Sequence, residues 1–282
     1  MGEPDMRYAR VCAALALLGL LAAGCPRPES ARVSTCAYAQ RAGTVQVNQA
    51  SRRNNGSAAV LRGRVVLYHL WAEDAGSSWT AVQQADVQDR VRAAIGFLGR
   101  WARTYGVDLT FVEEAAGRIR SASDLPTDMF ADPIWTERLV QSTGAADANR
   151  LVADLKRHHR ADGVLLVIHV NKAADSYHLT FYAGIHPVYA AERIVCFLRY
   201  PDQKPICAAS YAHEILHAFG AGELYFPFDR TDERAKRARR LFPNDIMFRV
   251  DRNLDALNIG PWTAYRIGWT DHLDADLRAL ED

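Results

Sequence analysis

The sequence predicts an α+β domain: a twisted, mixed β-sheet backed by two helices, a further helix carrying two histidines, and a small, mostly helical C-terminal subdomain. Three observations predict it. A strand, helix, strand succession covers residues 64–114, a helix leading into the most strand-like run of the chain covers 146–170, and beyond residue 205 the apolar spacing is largely helical.

Taken in order, Arg7 and Arg10 precede an apolar run at 11–23 that ends in LAAGC at 21–25. The run is too short to span a bilayer comfortably and has the form of a secretory signal. Ala22, Ala23 and Gly24 before Cys25 resemble a bacterial lipobox, which implies an exported envelope lipoprotein held to a membrane by a lipid on Cys25, with simple secretion as the alternative. Residues 26–59 are polar, with little hydrophobic periodicity, and read as a flexible tether. That leaves 60–282 for the folded domain. A formal net charge of +1 gives no reason to expect a nucleic-acid partner.

Residues 64–73 are β-branched and aromatic, with His69 read as a packing residue. Ser78 or Thr80 caps a helix whose apolar residues Val87, Val91, Ile95, Leu98 and Trp101 recur at three- and four-residue steps. A strand at 107–114 follows, and the helical crossover favours a parallel pair. A short helix is expected around 135–141 and another over 146–160, where His158 and His159 suit the negative end of the helix dipole. Residues 163–170 read as a central strand, 177–184 as an edge strand and 193–200 as a further strand. An edge strand beside the histidine helix would suit recognition of an extended peptide. Cys196 at a strand end and Cys207 in the first turn of the next helix are expected to form a disulfide, leaving Cys36 unpaired. Pro205 is expected in the first turn of that helix.

Residues 213–223 read HEILHAFGAGE. On a helix, His213 and His217 lie one turn apart on one face, close enough for both imidazoles to reach one metal ion, zinc above all. Glu214 points about 100° round the helix, beside the metal, where a general base takes a proton from water. Gly220 can take positive φ and end the helix, folding the chain back so that Glu223 supplies a third ligand.

PNDIM at 243–247 places Met247 in a tight turn downstream. With HExxHxxGxx, a further ligand and a methionine turn, the last seventy or so residues resemble the metzincin clan of zinc metallopeptidases. They are also similar to a group of bacterial exported proteins carrying HEILHxFGAxxLY and NDIM. The resemblance implies a zincin fold, zinc on His213, His217 and Glu223, Glu214 as general base and Met247 as an apolar floor beneath the metal. Two departures stand out. The third ligand is Glu223 where metzincins usually have His or Asp, and the position two after the methionine, often a tyrosine that assists at the transition state, is Arg249. Tyr265 is the candidate replacement. Trp262, Ile267 and Trp269 are expected to pack beneath the turn.

The function these readings imply is zinc-dependent endopeptidase activity on a peptide or protein substrate. Two alternatives stay open. One is a thermolysin-like peptidase whose third ligand comes from the charged helix at 231–241, with Glu233 the candidate. The other is a lipoprotein that binds metal or a partner on a peptidase fold without turnover.

Overall fold

Strand β1 (Gly63–Glu73) is buried from Val65 to Ala72, as a run that is apolar but for His69 requires of a strand covered on both faces. The computed structural model describes residues 56–59, 61–180, 190–225, 231–278 and 280. The expected signal at 1–25, Cys25, Cys36 and the tether up to residue 55 lie outside them.

Helix α1 (Ala81–Thr104) starts from a capping box. The Thr80 side chain accepts from Gln83 N–H, and Gln83 Oε1 accepts from Thr80 N–H, so two backbone donors that helix geometry leaves unpaired are satisfied. Strand β2 (Leu109–Arg120) then pairs parallel with β1, as the crossover predicts. It runs past the expected end at Glu114 because the register shifts: His69 pairs with Ala115, but Trp71 pairs with Arg118. Gly117, at φ 81°, sits in this one-residue bulge and lets pairing resume beyond it.

Helices α2 (Ile134–Gln141) and α3 (Ala148–His159) precede β3 (Gly163–Ala173), which lies parallel to β1 on its other side. Strand β5 (Arg193–Arg199) is parallel to β3, and the short β4 (Tyr177–Leu179) is antiparallel to β5. The order is β2-β1-β3-β5-β4. Helices α4 (Ala208–Ala218), α5 (Asp232–Leu241), α6 (Pro261–Arg266) and α7 (Ala275–Arg278) follow, with a 3₁₀ turn at Leu254–Ala256. The described chain is thus α+β, with a five-stranded mixed sheet and seven α-helices.

The period of two along each strand divides the core. Val65, Leu67 and Trp71 face α1 and α4, packing with Val91, Leu98, Tyr211 and Ile215. Val66, Tyr68 and Leu70 face α2 and α3, with Leu139, Val152 and Leu155. His69 packs as expected, its Nδ1 2.9 Å from Nε2 of the fully buried His169.

Four expectations change. The folded unit begins before residue 60: Ser57 to Ala59 are buried, and Ser57 N–H donates to Ala190 O at 2.7 Å. The C-terminal residues form no separate subdomain, because Leu257, Trp262, Trp269 and Leu277 share one apolar cluster with Met247, α1 and α4. The helix of the HEILH motif starts at Ala208 rather than at Pro205, which is bridged to Arg199 while Ile206 N–H donates to Leu198 O.

The fourth is the disulfide. Cys196 and Cys207 are free thiols. Cys207 is the N-cap of α4 and is turned to Tyr200, whose hydroxyl donates to Cys207 Sγ at 3.1 Å and accepts from Cys207 N–H at 3.2 Å. Cys196 is buried in the α4-facing core, where desolvation pushes its thiol well above the usual range. Alkylation without reductant should therefore label both cysteines on unfolding and spare Cys196 in the native protein; a non-reduced peptide linking the two would refute this.

Candidate metal centre

Every residue from Ala209 to Ala218 of α4 is buried, because the helix packs against α1 on one side and the β4 and β5 edge on the other. It ends at Phe219. Gly220 takes φ 103°, its N–H donates to His217 O at 3.0 Å, and Ala221 N–H reaches back to Leu216 O at 3.0 Å. This pair of bonds is a Schellman turn. It reverses the chain within three residues and brings Glu223 back over the helix.

The reversal converges three side chains. His213 Nε2 and His217 Nε2 are 3.0 Å apart, and Glu223 Oε1 lies 3.3 Å from the first and 3.0 Å from the second. All three residues are buried. The opposite ring nitrogens are committed: His213 Nδ1 is 2.9 Å from Ile246 O and His217 Nδ1 is 2.9 Å from Ala221 O. A carbonyl oxygen only accepts, so both Nδ1 atoms carry hydrogen, and in the neutral rings both Nε2 atoms present lone pairs. Three acceptors thus face one another, an arrangement that could hold a cation at their centre. Burial pulls the His213 pKa down, but Glu223 beside it outweighs burial and raises it to about 9. Burial likewise opposes ionisation of Glu223, yet the two imidazoles hold it well below the usual carboxylate range.

Zinc fits the same place. Tetrahedral nitrogen and oxygen ligands about 2.0–2.1 Å from zinc lie about 3.4 Å apart, close to the spacings here. The backbone around the site is tied together as well: Ile246 O holds His213, and Met247 O accepts from Leu224 N–H at 3.0 Å. The turn carrying the fully buried Met247 therefore joins the helix that carries His213 and His217 to the segment that carries Glu223.

Glu214 stands outside this trio, with its Oε2 3.7 Å from His178 Nδ1. Burial favours its neutral form, but His178, His213 and His217 together lower its pKa, so it is anionic at neutral pH. Neither candidate helper is brought in. Arg249 is exposed and paired with Asp251 at 3.2 Å. Tyr265 packs against the main core, and among the described residues its hydroxyl makes no hydrogen bond to the cluster. Glu233, the alternative third ligand, is 83% exposed in its side chain and paired with Lys236.

Two neighbours were not singled out from sequence. Tyr225 O–H donates to Glu223 Oε1 at 2.8 Å; its place two residues after Glu223 was the available signal. His178, on β4, stacks on His217 with ring centroids 4.3 Å apart; no local pattern links it to residues so far along the chain. A second trio, Glu114, His158 and His159, also brings donors within 4.8 Å of one another. It is partly exposed, at the basic end of α3, and His159 is already hydrogen-bonded to Glu114.

No protein-family model matches the chain, and no curated protein matches it. What the site does is therefore read from its own side chains.

Proposed function

We propose that the chain is a zinc-dependent endopeptidase of the metzincin-like kind, exported and lipid-anchored at Cys25. The observation that carries the proposal is the convergence of three buried acceptors, His213 Nε2, His217 Nε2 and Glu223 Oε1, with a buried carboxylate that does not join them. Zinc held by that trio would supply Lewis acidity, polarising the scissile carbonyl and making water acidic enough to attack. Glu214 takes the proton from the attacking water and then delivers it to the departing amine nitrogen. His213 and His217 keep their orientation through their Nδ1–H bonds to Ile246 O and Ala221 O. Tyr225 holds Glu223 by the hydroxyl bond to Oε1. Met247, fully buried in the turn that holds His213, would form the apolar floor of the site. A peptide substrate is supported by β4, the last strand in the described sheet order, lying against α4, since extended peptides are commonly read by strand addition.

Zinc uptake is the test. By equilibrium dialysis the chain is expected to bind one equivalent, to lose it when His213 and His217 are both replaced by Ala, and to release peptidase activity that a chelator abolishes and zinc restores. Weakening by Glu223→Ala but not by Glu233→Ala assigns the third ligand. A chain that takes up no zinc, or keeps it without both histidines, ends the proposal.

A further inference from the structure

A general base has to be held within hydrogen-bond reach of the proton it takes, and a glutamate with three rotatable bonds needs something to hold it. Glu214 Oε2 is buried and accepts no hydrogen bond from any described residue, which is costly for a carboxylate oxygen. Among the described residues, His178 places a donor in the right direction. Along β4, Tyr177 belongs to the core under α2 and α3, so the alternation of the strand turns His178 to the opposite face, where α4 lies. There its ring lies nearly parallel to that of His217, at 24°, and its Nδ1 stands 3.7 Å from Glu214 Oε2. That gap exceeds a hydrogen bond, so the Glu214 carboxylate has to rotate toward the ring to close it. The stacking fixes the plane of the imidazole against a metal ligand, so His178 carries the geometry of the ligand set across to the base.

We propose that His178 is the positioning residue for Glu214: its Nδ1–H donates to Oε2 and fixes the carboxylate beside the ligand trio. The inference rests on the zinc-peptidase reading and extends it to a residue of the sheet. It makes a demand that packing alone would not, because the donor must sit at the Nδ1 position. Asparagine places an amide N–H there, whereas glutamine places one nearer Nε2.

The experiment uses the zinc-loaded chain with His178→Ala, His178→Asn and His178→Gln. Zinc content should stay at one equivalent in all three. Removing an outer hydrogen-bond partner of a metal site typically costs about 10–100-fold, so His178→Ala should lower kcat by about that factor with KM changed less than about twofold. His178→Asn should recover most of the loss and His178→Gln little of it. Titration calorimetry with a peptide hydroxamate, which chelates the metal and needs an oriented proton acceptor, gives a readout apart from turnover. Its affinity should fall about tenfold in His178→Ala, recover in His178→Asn, and show no further fall when His178→Ala is added to Glu214→Gln. Zinc-loaded protein that binds the hydroxamate equally well with or without His178 overturns this inference and leaves the zinc reading standing. Equal rescue by Asn and Gln also overturns it, and a chain that binds no zinc overturns both.

Discussion

Glu214→Gln is expected to keep its zinc and to lose about 10²- to 10⁴-fold in kcat/KM, the range spanned by removal of a general base. The substitution preserves the size and shape of the side chain. It removes only the capacity to accept a proton. Zinc should stay because the converging atoms belong to His213, His217 and Glu223, while Glu214 Oε2 is directed to His178. Glu214 is ionised at neutral pH because the histidines around it outweigh its burial and lower its pKa. Zinc content and peptide cleavage measured on the same preparation check both halves. Zinc lost with activity would make Glu214 a ligand, and unaltered biological activity with Gln in place would favour the binding-protein alternative.

How much of this site was legible depended on how far apart in the chain its members lie. His213, Glu214, His217, Gly220 and Glu223 span eleven residues, so helical spacing and one glycine with positive φ suffice to place them. Met247 was legible because the turn is short and carries its own signature. His178 was not, since it arrives through the pairing of β4 with β5 and nothing local marks a histidine on an edge strand as a neighbour of α4. The disulfide failed for a related reason. A cysteine count gives no information about which way a thiol turns, and Cys207 is claimed by Tyr200, contributed by the hairpin-like connection that also delays the start of α4. The parallel pairing of β1 and β2 was readable from element order, but the extension of β2 through a glycine bulge was not, because EAAGRIR lacks alternation. The boundary at residue 60 was set too late because SAA carries no periodicity, yet backbone bonds and small side chains are what that corner of the fold uses.

Asp245 makes the second large prediction, since the sequence of the methionine turn drew notice for Met247 while the structure hangs the turn on Asp245. The carboxylate is fully buried. Its Oδ1 accepts from Met247 N–H at 2.8 Å, and its Oδ2 accepts from Gly260 N–H at 2.7 Å and from Thr263 Oγ1–H at 2.9 Å. Gly260 has no room for a side chain, because a Cβ there would meet Oδ2 at 2.8 Å. Asp245→Ala leaves three buried donors without a partner at about 1–3 kcal/mol each, so a loss of at least about 3 kcal/mol in unfolding free energy is expected. The turn also presents Ile246 O to His213, so zinc affinity should fall by about 10–100-fold. Burial raises the Asp245 pKa to about 6, against the pull of its three donors and of His213. The folded state therefore holds this proton more tightly than the unfolded chain, and the stability that protonation contributes is fully present below pH 4 and lost as pH rises through about 6. The destabilisation by Asp245→Ala, read from urea unfolding, should accordingly be about 1 kcal/mol larger at pH 5 than at pH 7. A cost below about 1 kcal/mol with zinc affinity unchanged would show that the turn holds the ligand helix without Asp245. A cost that grows toward neutral pH would mean that the three donors outweigh burial and keep the carboxylate ionised.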